Sequence, residues 1–160
     1  MEERAFVKLK ILGEPMGKQR PRFSNVNGFP KSYTPKETIN YESRVVSEYK
    51  QNYSGMAFDY NDEIMATIIA NFKIPKAHYK YHKKTGTTDL DKEGQLMLKG
   101  IKRPTINKDI DNICKICMDA LNGIAYPDDK QIVSLVGLKY YSEEPSVEIT
   151  LERRKNYYEW

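Results

Sequence analysis

The sequence predicts an α/β protein in which a small mixed β-sheet of about four strands carries two packed helices, in the order β-α-β-α-β-β. Three stretches predict it. Residues 6–12 alternate apolar and polar side chains at the two-residue period of a strand, in Phe-Val-Lys-Leu-Lys-Ile-Leu. Residues 64–74 form an apolar, β-branched run suited to the middle of a sheet. Residues 110–124 repeat apolar side chains at the period of a helix.

The elements follow in order. After the first strand, Gly13, Pro15, Gly17 and Pro21 keep a short basic segment out of regular structure. Thr34-Pro35-Lys36-Glu37 reads as a helix start, with Thr34 as N-cap, Pro35 in the first turn and Glu37 three after the cap. That helix should reach about Tyr49 or Asn52, with Ile39, Val45 or Val46, and Tyr49 near its buried side. The strand at Ile64–Ile74 leads into residues 76–108, which show little apolar periodicity and read as a mobile basic loop. In the next helix Ile110, Ile113, Ile116, Cys117, Ala120, Leu121 and Ile124 fall within about 80° of Ile113 on the helical wheel, a buried stripe. Asp111, Lys115, Met118 and Asp119 take the opposite face. Gly123 is a plausible stop, and Tyr126-Pro127-Asp128-Asp129 has turn chemistry. Ile132–Tyr141 and Val147–Glu152 are expected to pair as a hairpin across Ser142-Glu143-Glu144-Pro145.

The chain has 160 residues, 39% hydrophobic and 30% charged, which suits one soluble globular domain over 1–160. No run of about 18 apolar residues is present to span a membrane. The start Met1-Glu2-Glu3-Arg4-Ala5-Phe6 carries no apolar signal region, and a cytoplasmic protein is expected. No repeat or low-complexity tract appears. The net charge of +4 understates local asymmetry: from Lys73 to Lys108 there are ten Lys and Arg against three Asp and Glu. Lys83, Lys84, Lys102 and Arg103 lie in that stretch. Lys18, Arg20 and Arg22 make a second cluster, and Arg153, Arg154 and Lys155, with Tyr157, Tyr158 and Trp160, a third. Such clusters neutralise phosphates and give affinity without sequence specificity.

Within this basic chain the acids gather around one helix. Asp109 and Asp111 open it, Asp119 lies on its flank, and Asp128 and Asp129 follow in the turn. Carboxylate oxygens are the hard ligands that Mg²⁺ takes while keeping waters and a phosphate. Singly, each acid also fits a structural role as a cap or turn residue. Local geometry leaves open which end of the helix the turn returns to. A calcium loop is excluded, because Cys114 stands where the EF-hand turn needs Gly. A zinc site from Cys114, Cys117, His78 and His82 is disfavoured, since both cysteines fall inside the helix, Cys114 on the flank and Cys117 on the face of its apolar stripe.

The run Lys108-Asp-Ile-Asp-Asn-Ile-x-Lys-x-x-x-Asp-Ala-Leu-Asn-Gly123, followed by Tyr126-x-Asp-Asp-x-Gln-Ile132, resembles the core signature of the RusA family of Holliday junction resolvases. The basic segment Gly13-Glu-Pro-Met-Gly-Lys-Gln-Arg-Pro-Arg-Phe23 and Tyr33-Thr-Pro35 extend the resemblance upstream. It implies a small α/β homodimer that cuts four-way DNA junctions in recombination and repair. It also implies Mg²⁺ held by Asp109, Asp111 and Asp129, a needed Lys115, and less certain roles for Asp128 and Asp119. Mn²⁺ could substitute for Mg²⁺ at such oxygen ligands. Metal-assisted hydrolysis leaving 5′-phosphate ends is the expected chemistry. The alternatives are a junction-binding protein without chemistry, and a less selective flap or branched-DNA nuclease.

Overall fold

The structure is a computed structural model that describes residues 5–106 and 108–154. Met1–Arg4, Lys155, Tyr157, Tyr158 and Trp160 lie outside the described residues. Among the described residues eight strands and three α-helices occur in the order β1 (Phe6–Leu12), β2 (Arg22–Val26), β3 (Phe29–Tyr33), α1 (Lys36–Asn52), β4 (Ile64–Lys73), β5 (Tyr79–His82), β6 (Thr87–Leu90), α2 (Lys92–Leu98), α3 (Ile110–Leu121), β7 (Ile132–Ser142) and β8 (Ser146–Arg153). A mixed four-stranded sheet, in the order β1-β8-β4-β7, forms the centre. The fold class is the expected one, with a third helix and two small hairpins added.

Those additions correct the reading of the basic stretches. Residues 76–108 are not an irregular loop: they hold a 3₁₀ turn, the β5–β6 hairpin and α2, which Asp91 caps through the Gly94 amide at 2.8 Å. Periodicity failed there because four-residue strands and a seven-residue helix are too short to show it. Part of the first basic segment is also regular, since Arg22 begins a hairpin.

The expected β7–β8 hairpin does not form. β7 pairs in parallel with β4, while β8 pairs antiparallel with both β4 and β1. β4 therefore lies between two strands that are consecutive in sequence. Its inner residues Ile64, Ala66, Ile68, Ala70 and Phe72 are fully buried, so the most apolar strand gains most from two neighbours. The bend after Ser142 crosses its end, with the Ile74 amide donating to the Ser142 carbonyl at 3.1 Å.

One face of the sheet is covered by α1 and α3. In α1 the buried side is Thr38, Tyr41, Val45 and Tyr49. Ile39 is 48% exposed, contrary to expectation, and Thr34 makes no side-chain cap. The amphipathic register is set by the two tyrosines, whose rings cover more apolar area than Ile39 could. In α3 the stripe is Ile113, Cys114, Ile116, Cys117, Ala120 and Leu121. Cys114, at the flank of the expected stripe, is drawn in because β7 offers Gly137 beneath it. A Cβ at Gly137 would lie 2.7 Å from Ile110 Cγ1 and 2.9 Å from Cys114 Sγ. The helix thus rests on bare backbone, which fixes its height and register on the sheet.

Candidate active site

Asp109 occupies the N-cap position of α3 but its carboxylate makes no cap hydrogen bond, and it is exposed. Asp111 and Lys115 follow on the outer face, both exposed. None of the three forms an ion pair among the described residues, so Lys115 does not hold Asp111 in place. The fold therefore leaves these charges unused. Burial, and after it the charge of Asp111, pushes the Cys114 thiol up to about 11.

The basic segment after β1 docks against this helix start. The Lys18 amide donates to the Asn112 carbonyl at 2.9 Å, and Lys108 Nζ donates to the Pro15 carbonyl at 2.7 Å. Gly17 allows the close crossing, since a Cβ there would lie 3.2 Å from Asn112 Cβ, tighter than an ordinary contact. Between segment and helices lies a cleft of ≈ 490 Å³ lined by Gly17, Lys18, Gln19, Glu37, Lys108 and Asp109, among others. Gln19 Nε2 donates to Glu37 Oε2 at 2.7 Å across it. From sequence Glu37 is only part of a helix start. Its place beside Asp109 depends on α1 and α3 packing together, which no local pattern signals.

The remaining acids stand elsewhere. The turn after α3 stays at that helix's C-terminal end: Tyr126 Oη donates to the Met118 carbonyl at 2.7 Å, and the Ala125 amide to the Leu121 carbonyl at 2.9 Å. Buried Gln131 pins it further, donating to the Asp59 carbonyl at 2.6 Å. Since Ile110 lies over Gly137, the level of Ile132 is about 16 Å back along β7. Asp129 is thus not gathered with Asp109 and Asp111 in one chain, and no three Asp, Glu, His or Cys side chains cluster as a metal site among the described residues. Asp128 is engaged at both oxygens, accepting from the Lys130 amide at 3.0 Å and pairing with Lys130 Nζ at 3.0 Å. The backbone bond and that pairing lower its pKa. In this structure it also forms a capping box with Gln131.

The cations divide similarly. Lys18 pairs with Glu42, and with Asp119 at 3.0 Å. Burial works against its charge, yet both carboxylates outweigh that and raise its pKa. Lys18 thus bolts α1 to α3 in this structure. Arg103 stacks 3.4 Å from the Tyr140 ring centroid and donates to the carbonyls of Gly100 and Lys139, and Lys102 pairs with Glu93. Arg20, Arg22, Lys83 and Lys84 are exposed and make no ion pair among the described residues. Cys114 and Cys117 are buried in the core, whereas His78 contacts Asp91 at 3.2 Å and His82 contacts Asp89 at 3.3 Å, so thiols and imidazoles do not converge. No helix among the described residues is long and apolar enough to cross a membrane.

The family model for RusA endodeoxyribonuclease matches residues 13–152. The chain is also 32% identical over 146 residues to the uncharacterized protein YqaN of Bacillus subtilis (strain 168), covering 91% of this chain and 94% of that protein.

Proposed function

The chain belongs to the RusA endodeoxyribonuclease family, and on that premise we propose that it is a Mg²⁺-dependent resolvase of four-way DNA junctions. The observation that carries the reading is the pair of uncompensated carboxylates, Asp109 and Asp111, where α3 begins beside a segment bearing Arg20 and Arg22. Carboxylates that neither cap nor pair are the donor set a hard divalent cation requires. When bound, Mg²⁺ draws charge from the scissile phosphate and lowers the pKa of a water. Lys115, one turn beyond Asp111, would stabilise the negative charge that gathers on the phosphate during cleavage. Arg20 and Arg22 would grip flanking phosphates, giving position and affinity but no sequence preference.

A two-fold homodimer would set two such sites on a junction of matching symmetry, each nicking one strand to leave a 5′-phosphate. It also offers a place for the third family aspartate. Asp129 stands at the far end of α3, so Asp129 of the partner subunit would reach Asp109 and Asp111 if the two α3 helices ran antiparallel. Such cleavage serves recombination and repair.

The test is purified protein on four-way junction, flap and linear duplex side by side. Cutting of the junction with Mg²⁺ or Mn²⁺, lost on chelation and restored by readdition, is the expected result. Equal cutting of flaps would make the protein a general branched-DNA nuclease, and binding without cutting a junction-binding protein. Lys115→Ala should reduce turnover on the order of 10²-fold while junction affinity stays within about twofold. Loss of both in step would make Lys115 an ordinary phosphate contact.

A further inference from the structure

The hairpin β2–β3 stands apart from the core, with every residue of both strands exposed. Phe23 is 76% and Phe29 77% exposed, with Val26 and Tyr33 also open. The turn between the strands is Asn27-Gly28, with φ of 53° and 81°, the left-handed pair that a tight hairpin turn needs. An isolated two-stranded hairpin with no packed face is marginal in water. Its aromatic side chains therefore call for a ligand.

The pairing register sorts the side chains. Arg22 opposes Tyr33, Ser24 opposes Lys31 and Val26 opposes Phe29, so these six share one face. Along β3 that face reads Phe29, Lys31, Tyr33: two rings about 14 Å apart with an ammonium between them. From Pro15 to Lys36 the sequence holds five Lys and Arg and no Asp or Glu. Such a surface fits a polyanion with exposed π-faces, and a second copy of the same face would set cation against cation. Both legs are also anchored at the cleft. Gln19 precedes Arg22 by three residues, Glu37 follows Tyr33 by four, and the Gln19–Glu37 bond joins them beside Asp109. The arm thus rises from the rim of the site within about 15 Å of it.

We propose that residues 22–33 are a stacking arm for unpaired bases, on which Phe29 and Tyr33 take bases opened where DNA arms part while Lys31 and Arg22 hold their phosphates. This rests on the nuclease reading and adds to it the source of structure selectivity. Phosphate contacts bind branched and linear DNA alike, whereas a π-face gains only from a base already out of its stack.

The experiment compares wild type with Phe29→Ala/Tyr33→Ala and Phe29→Leu/Tyr33→Leu. The probes are a four-way junction carrying 2-aminopurine at the branch and a linear duplex of equal length, both without divalent metal. Both variants should melt like wild type, since neither ring belongs to the buried core. They should bind the junction about 5- to 100-fold more weakly and the duplex within about twofold. Wild type should quench the branch-point fluorophore and the variants should not. Equal loss on both DNAs, or unchanged junction binding and quenching, overturns the proposal. So does a shift from dimer to monomer in sedimentation that accounts for the loss, since the occupant is then a second copy. Variants that bind and quench like wild type refute the arm and leave the nuclease reading standing. Wild type that binds neither DNA refutes both.

Discussion

Asp109→Asn and Asp111→Asn should each lower Mg²⁺-dependent cleavage by at least about 10²- to 10³-fold while junction binding survives. Asn keeps the shape and removes the charge a hard cation needs. It places no new negative charge against DNA, so affinity measured without metal should hold or rise slightly. The fold does not use either carboxylate, because neither caps a helix amide or joins an ion pair among the described residues. Stability should change by no more than about 1 kcal/mol, the size of a helix-dipole contribution at a first turn. Asp128→Asn is the contrasting variant: it weakens the capping box at the start of β7 and should leave substantial cleavage. Full activity in either the Asp109 or the Asp111 variant would move the metal site elsewhere.

Gly137→Val should destabilise the protein by about 1–3 kcal/mol, an overpacking cost. Even its Cβ meets Ile110 Cγ1 at 2.7 Å and Cys114 Sγ at 2.9 Å, and the two methyls beyond must push α3 off β7. For a chain this long the melting temperature should fall by roughly 2–4 °C for each kcal/mol. Because Asp109 directly precedes Ile110, cleavage should fall further than the folded fraction alone explains. Ile110→Ala in the same chain frees the nearest contact and should recover part of the stability, a coupling that a thermal or denaturant cycle measures. A Gly137→Val protein as stable as wild type would show that α3 does not rest there.

Asp109, Asp111 and Lys115 could be picked from the sequence, because Asp-x-Asp followed four residues later by Lys is a local spacing and a helix converts it into a shared surface. The α3 stripe was equally readable, from a 3.6-residue period sustained over 12 residues. The β2–β3 arm was also within reach, since Val26-Asn27-Gly28-Phe29 carries the strongest short hairpin signal.

What the sequence by itself determined is thus the set of elements with long periods, the α/β class, and the chemical types that surround α3. These depend on side chains close in the chain, where backbone geometry alone decides who faces whom. What only the tertiary structure decided is which distant groups meet. It inserted β4 between β7 and β8, since an apolar strand is most stable with neighbours on both edges. It turned Lys18 into a bolt between Glu42 and Asp119. It also held Asp129 at the opposite end of α3 from Asp109 and Asp111, because the turn is tied to Met118 and Leu121. Each outcome balances burial and charge pairing between segments tens of residues apart, which no local spacing encodes.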